Sequence, residues 1–117
     1  MKKVNAIKDK SFAFAIRVVK AYKNLIAEHK EFVMSKQLLR SGTAIGALYR
    51  EAEQAESKAD FIHKMAIAQK ECNETMYWLE LLSATGYLEK GAFESLYSDT
   101  TALIKLITSI IKSSKWN

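Results

Sequence analysis

The sequence predicts an all-α fold: an antiparallel, up-down-up-down four-helix bundle. Its 117 residues include no proline, which interrupts helices and is common in the turns of all-β domains. Apolar residues recur with helical spacing along four stretches. The breaks between these stretches are short, and short connections make consecutive helices antiparallel. A chain of this length holds one core, so residues 1–117 are predicted to form a single domain.

The first helix is predicted at about residues 11–29. Its main apolar stripe consists of Phe14, Ala15, Val18, Tyr22, Leu25 and Ile26. Phe12, Ile16 and Val19 widen this stripe beyond what one neighbouring helix would cover. The other side of the helix carries Lys10, Arg17, Lys20 and Lys23.

The second helix is predicted at about residues 35–55, with Ser35 as its N-cap. One apolar face consists of Leu38, Ile45, Leu48, Tyr49 and Ala52. Gly42 and Gly46 lie within the helix, where each costs roughly 1 kcal/mol relative to alanine. We therefore expect either a close approach of another backbone at these glycines or a kink.

The third helix, predicted at 58–84, has the clearest signals. Ser57 and Asp60 resemble a capping box in which aspartate replaces glutamate. A heptad-like apolar stripe follows, made of Phe61, Met65, Ala68, Cys72, Thr75/Met76, Leu79 and Leu82. Gly86 is expected to end the helix as its C′ residue.

A second stripe on the third helix mixes large apolar residues with charges. It contains Ile67, Lys70, Glu71, Glu74, Tyr77, Trp78 and Leu81. A helix that is apolar on two sides must bury both. We predict that this stripe is an interface between subunits of a homo-oligomer. The alternative is a surface helix with two half-buried aromatic residues.

The fourth helix is predicted at about residues 92–113. Its apolar stripe consists of Phe93, Leu96/Tyr97, Thr100, Leu103/Ile104, Ile107 and Ile110/Ile111.

Charge is distributed unevenly along the chain. The net charge is +5, but residues 1–58 hold 12 basic and six acidic residues, whereas residues 59–117 hold six and seven. A basic first half favours a polyanionic partner, above all nucleic acid. Candidate phosphate-binding residues are Lys10, Arg17, Lys20, Lys23, Arg40 and Arg50. The alternative is a solvated, lysine-rich surface.

Several other functions find little support in the residues present. One cysteine cannot form an internal disulfide. Of the Glu-x-x-His pairs that di-metal bundles need, only Asp60-Phe61-Ile62-His63 comes close, so we expect no metal site and no cofactor. No apolar run is long enough to span a membrane, and the N-terminus lacks a signal-peptide core, so we expect a cytoplasmic protein.

Two segments carry a family resemblance. They are residues 37–47 (QLLRSGTAIGA), followed by Glu51-Ala52, and residues 57–79, which begin SKADFIHKM and end in Tyr77-Trp78-Leu79. They resemble the four-helix bundle proteins encoded within intervening sequences of bacterial 23S ribosomal RNA genes. The accessory variability determinant of diversity-generating retroelements is similar. The resemblance extends over about residues 12–111.

This resemblance implies a ring-forming homo-oligomer, a pentamer with a central channel, whose basic surface binds RNA or DNA without catalysis. Our leading hypothesis is accordingly a non-catalytic nucleic-acid-binding accessory protein, with RNA as its main partner. A second hypothesis is a scaffold that docks an acidic protein. A third is a small hydrolase, which would need His29 or His63 to act with a carboxylate or arginine.

Overall fold

Four helices account for nearly all of the structure, a computed structural model that describes residues 2–116, with side chains described from residue 5. They are α1 (Lys2–Glu28), α2 (Met34–Glu53), α3 (Lys58–Ala84) and α4 (Lys90–Trp116). No strand occurs within residues 2–116. The all-α prediction is confirmed.

The structure extends two helices beyond the predicted ranges. The sequence places α1 at 11–29, whereas the helix begins at Lys2. Ile7 explains part of this difference. Its fully buried side chain lies seven residues, or about two helical turns, before Phe14 and so extends the same apolar stripe towards the N-terminus. The fourth helix reaches Trp116 rather than 113. The third helix occupies 58–84, where the sequence places it.

The helices pack around one shared core. Within the described residues α1 packs beside α2 and α4, and α3 packs beside the same two helices, so that α1 and α3, like α2 and α4, are diagonal to each other. Each helix supplies fully buried apolar side chains, among them Phe14, Ile45, Leu79 and Ile107. The molecule measures 47 × 22 × 19 Å, and its length is close to the roughly 40 Å of a 27-residue helix. This arrangement is a four-helix bundle.

The two interior glycines of α2 face α1 at close range. A Cβ atom at Gly42 would lie 2.8 and 2.9 Å from the two methyl carbons of Val18. At Gly46 the nearest atom would be Oγ of Ser11, at 3.2 Å. The close approach expected at these glycines is therefore present, and α1 is the helix that approaches.

Ser57 and Gly86 mark the two ends of α3, as the sequence predicts. At the start, Ser57 Oγ accepts a hydrogen bond from Asp60 N at 3.0 Å. The Asp60 carboxylate accepts one from Glu56 N rather than from Ser57 N, so half of the predicted capping box is present. At the end, Gly86 has a φ of +85°, and the Tyr87 amide donates to Leu82 O at 2.9 Å. This is a Schellman motif, and glycine relieves the left-handed strain there.

The predicted N-cap of α2 is wrong. Ser35 lies inside the helix, and the residue at the cap position, Val33, makes no side-chain cap. The carboxylate of Glu31 instead accepts hydrogen bonds from the backbone amides of residues 33–35, the shortest at 2.7 Å. Burial opposes ionisation of Glu31, but these hydrogen bonds outweigh it and lower its pKa below the ordinary 4.5.

We expect Glu31→Gln to destabilise the fold by about 1 kcal/mol at pH 7, since one amide oxygen cannot replace two carboxylate oxygens at the cap. Because the folded-state pKa is lowered, the carboxylate's contribution is complete above pH 4.5 and is lost as the pH falls through the lowered pKa. The difference in the free energy of unfolding between wild type and Glu31→Gln, measured by urea unfolding, should therefore become smaller at low pH. Glu28→Gln, which alters an exposed glutamate, is the control; a gap that is independent of pH would contradict this account.

Candidate nucleic-acid interface and subunit surface

Three of the predicted phosphate-binding residues are exposed lysines on α1: Lys10, Lys20 and Lys23. None of them makes an ion pair or hydrogen bond within the described part of the chain. They share the outer side of the helix, since successive helical residues turn by about 100° and the three span about 140°. Their charges are therefore free to interact with a partner.

Arg17 lies on the same helix, but its guanidinium already has partners on α4. Its guanidinium forms an ion pair with the carboxylate of Asp99 on α4, and Nη2 donates to Ser95 Oγ at 2.9 Å. The pair is partly exposed to solvent, with 40% of the Arg17 side chain accessible. Arg17 thus links α1 to α4, and its partner could not be predicted from the sequence because it lies 82 residues away.

Arg50 of α2 lies beside α1, against an exposed aromatic ring. Its guanidinium carbon is 5.8 Å from the ring centroid of Phe12, within cation–π range. The two side chains border a shallow groove of about 250 Å³ between the helices, with Ala15, Gly46 and Ala47 also in its lining. The sequence predicts that Arg50 binds phosphate, but it places Phe12 only in the widened apolar stripe of the first helix.

Arg40 occupies a different side of α2, where it is neutralised by α3. It forms ion pairs with Glu71, at 3.3 Å, and with Glu74, and both raise its pKa. Trp78 Nε1 donates to the same Glu74 oxygen at 3.0 Å, and this bond and Arg40 lower the pKa of Glu74. The other oxygen of Glu71, Oε1, is buried without a hydrogen-bond partner among the described residues. The structure thus separates Arg40 from the lysines of α1.

The outer side of α3 carries the predicted subunit stripe. Tyr77 is 56% exposed and packs edge-on against Trp78, with ring centroids 5.0 Å apart. Trp78, Ile67 and Leu81 are half-buried, and Lys70 is exposed. Trp78 also packs against the core of its own protomer. The apolar members of the stripe therefore remain partly exposed in one copy of the chain.

The two histidines considered for a hydrolase lie far apart in the structure. His29 follows α1 and meets Tyr87 edge-on at 6.0 Å, beyond the end of α3. His63 lies near the start of α3, so roughly 30 Å of helix separates the two regions. Cys72 is buried, and burial, with a smaller effect of Glu71, raises the pKa of its thiol to about 12.

Across the described residues, no three side chains of histidine, cysteine, aspartate or glutamate cluster as metal ligands. None of the described helices combines the length and apolarity that a membrane crossing requires.

Fold and surface together define a small all-α bundle with exposed lysines and exposed aromatic side chains. Residues 3–109 match the model of the family described as 23S rRNA-intervening sequence protein. The chain belongs to this family, which confirms the resemblance seen in its sequence.

The chain is also similar to a protein of solved structure. The chain is 61% identical to a Bacteroides thetaiotaomicron VPI-5482 protein described as having unknown function and coming from the S23 ribosomal protein family. The match covers 94% of this chain and 98% of that one, with a TM-score of 0.93. A comparison with curated proteins gives no match. Neither the family description nor that of the solved structure names an enzymatic activity.

Proposed function

We propose that this protein is a non-catalytic, oligomeric, nucleic-acid-binding accessory protein whose main partner is RNA. The observation that carries the proposal is the set of exposed lysines on α1, which make no ion pair with any described residue. Cations of this kind bind phosphates through charge and counterion release, without reading sequence. Arg50, whose charge is also unpaired among the described residues, extends the basic surface onto α2.

Arg17 and Arg40 have smaller roles in this proposal. Each would have to leave a carboxylate before it could bind a phosphate, Arg17 leaving Asp99 and Arg40 leaving Glu74. We therefore assign direct phosphate contacts first to the three lysines and Arg50. Arg40 instead positions Glu71 and Glu74 on the surface where we place the subunit contact.

We infer that the four helices run alternately up and down. Contacts between consecutive helices support this. Residues early in one helix meet residues late in the next, and residues late in one helix meet residues early in the next. The pairs are Lys8 with Glu53 and Val18 with Gly42, then Arg40 with Glu74 and Glu51 with Lys64, then Gln69 with Thr108 and Glu80 with Tyr97. In this arrangement the lysines of α1 and the stripe on α3 lie at diagonal corners.

We further propose that copies of the chain associate through the outer stripe of α3, in a ring that the family resemblance suggests is a pentamer. An exposed tyrosine beside a half-buried tryptophan is typical of an interface core. A ring requires this stripe to meet a different surface on the next copy, since a self-matching contact closes a dimer. The diagonal placement keeps the lysines of α1 apart from the stripe itself. We place the assembly in the cytoplasm.

The test is charge reversal on α1. We expect Lys10→Glu/Lys20→Glu/Lys23→Glu to abolish retardation of structured ribosomal RNA at about 50 mM salt. For wild type, each phosphate contact should contribute a slope of about −0.9 for duplex or −0.7 for single strands to log K against log salt. The matched control reverses three exposed lysines of α4, namely Lys105, Lys112 and Lys115.

Two outcomes would contradict the proposal: no binding of RNA or duplex DNA by wild type at this salt, or equal loss in both triple variants. The competing hypothesis, an acidic protein partner on the same lysines, predicts weak RNA binding. It also predicts proteins that remain bound in pull-downs from nuclease-treated lysate and are lost from the α1 triple variant.

A further inference from the structure

The groove between α1 and α2 combines features that the charge argument does not use. Phe12 is 58% exposed although it lies in the middle of a well-packed helix pair. Arg50 lies over its ring, and small residues, among them Ala15 and Ala47, line the groove beside it. The Phe12 ring is thus more than half exposed to solvent, and a guanidinium lies over one side of it.

Phe12 also begins a row along α1. Ile16, Lys20 and Lys23 follow at steps of four, four and three residues, which places all four on one side of the helix. Ile16 is 44% exposed, and both lysines are exposed. The row therefore passes from an aromatic ring to an apolar side chain and then to two free cations. The carboxylate on this side, Asp9, lies one turn before Phe12.

We propose that this groove binds an unpaired nucleobase and the phosphates that follow it, so that the protein binds single strands in preference to duplexes. Phe12 supplies the stacking surface, and Arg50 adds a second planar group beside the base. Lys20 and Lys23 bind the backbone further along α1. The proposal rests on the nucleic-acid-binding function proposed above and specifies the state of the ligand.

Stacking explains why an aromatic residue is exposed among cations. Exposed aromatic rings beside a basic groove are how single-strand-binding proteins hold bases, at about 1–3 kcal/mol per stacked base. A base inside a duplex offers no free face to Phe12, because its neighbours cover both sides. Loops, bulges and ends of RNA do offer one.

A second copy of the chain fits this groove less well. Lysine is depleted in the cores of protein interfaces, and burying Arg50, Lys20 and Lys23 would require matching carboxylates. Within the described residues, Asp9 is the one acidic residue on this side of α1, so a second copy that docked here through the same side would leave most of these charges unmatched. Phosphates supply that negative charge directly.

The experiment measures binding by fluorescence anisotropy to an unstructured RNA of about 12 nucleotides, to DNA of the same sequence and to the RNA duplex. Phe12→Leu keeps apolar bulk but removes the aromatic face, and Phe12→Trp restores one. Phe32→Ala is the matched control, because Phe32 is also 58% exposed but lies in the α1–α2 connection. Circular dichroism verifies that each variant is folded.

We expect Phe12→Leu to weaken binding to both single strands about 5- to 100-fold and to the duplex less than twofold. Phe12→Trp should bind single strands at least as well as wild type. Equal single-strand affinity for wild type, Phe12→Leu and Phe12→Trp, with duplex binding intact, would overturn the groove while leaving the proposed function standing. A change of oligomer mass in Phe12→Leu without a change in single-strand affinity would assign the groove to a second copy instead. Absence of binding to all three ligands by wild type would overturn both.

Discussion

Gly42→Ala should lower the free energy of unfolding by about 2 kcal/mol, although alanine is the better helix former by about 1 kcal/mol. The new methyl group would lie less than 3 Å from both methyl carbons of Val18. Val18 is fully buried, and its β-branched side chain has few other rotamers in a helix. The overlap must therefore push α1 away from α2, and overpacking of this kind costs about 1–3 kcal/mol or more.

Gly46→Ala is the matched control for this prediction. Its methyl group would meet Ser11 Oγ at 3.2 Å, and a small shift of that hydroxyl relieves the contact. We expect its stability to be near that of wild type in urea unfolding at equal protomer concentration. Val18→Ala should partly rescue Gly42→Ala, because it removes the clashing methyl groups. Equal stability of the two glycine variants would show that α1 and α2 do not approach each other as described.

The second large effect concerns assembly. We expect Tyr77→Ala or Trp78→Ala to reduce the sedimentation coefficient from that of the oligomer towards that of the protomer. Tyr77 is the cleaner variant, because its ring is more than half exposed, whereas Trp78 also packs against its own core and donates to Glu74. Truncating a central aromatic residue of an interface costs about 2 kcal/mol or more, enough to dissociate a moderately stable ring.

Phe32→Ala again serves as the control, since Phe32 is 58% exposed but lies outside α3. Its sedimentation should equal that of wild type. If Tyr77→Ala sediments as wild type does, the aromatic pair belongs to the surface of a single protomer, which is the alternative that the sequence left open.

Periodic burial is what made the fold predictable from sequence. The buried positions of α3, from Met65 to Leu82, repeat at steps of three and four, and Ser57 and Gly86 mark its two ends. The prediction of Ser35 as the N-cap of α2 was wrong because it depended only on residue type, since serine often caps helices. The actual cap, Glu31, acts from two residues before the cap position, and such a contact follows from the turn geometry rather than from residue type.

The candidate surfaces were harder to predict for a related reason. The sequence shows that Arg17 and Arg40 are cations, but their neutralisation depends on Asp99 and Glu74, which only tertiary packing brings near. Phe12 looked like a widening of the core stripe. Its exposure depends on how closely α1 and α2 pack at Gly42 and Gly46, which the structure shows and the sequence does not.

One copy of this chain leaves the outer stripe of α3 incompletely covered, and we propose that identical copies close over it. Light scattering of the wild-type protein over a range of concentrations measures the resulting mass. We expect a mass several times the protomer's 13.3 kDa, and about five times for the proposed ring. A mass of 13.3 kDa at every concentration would contradict it.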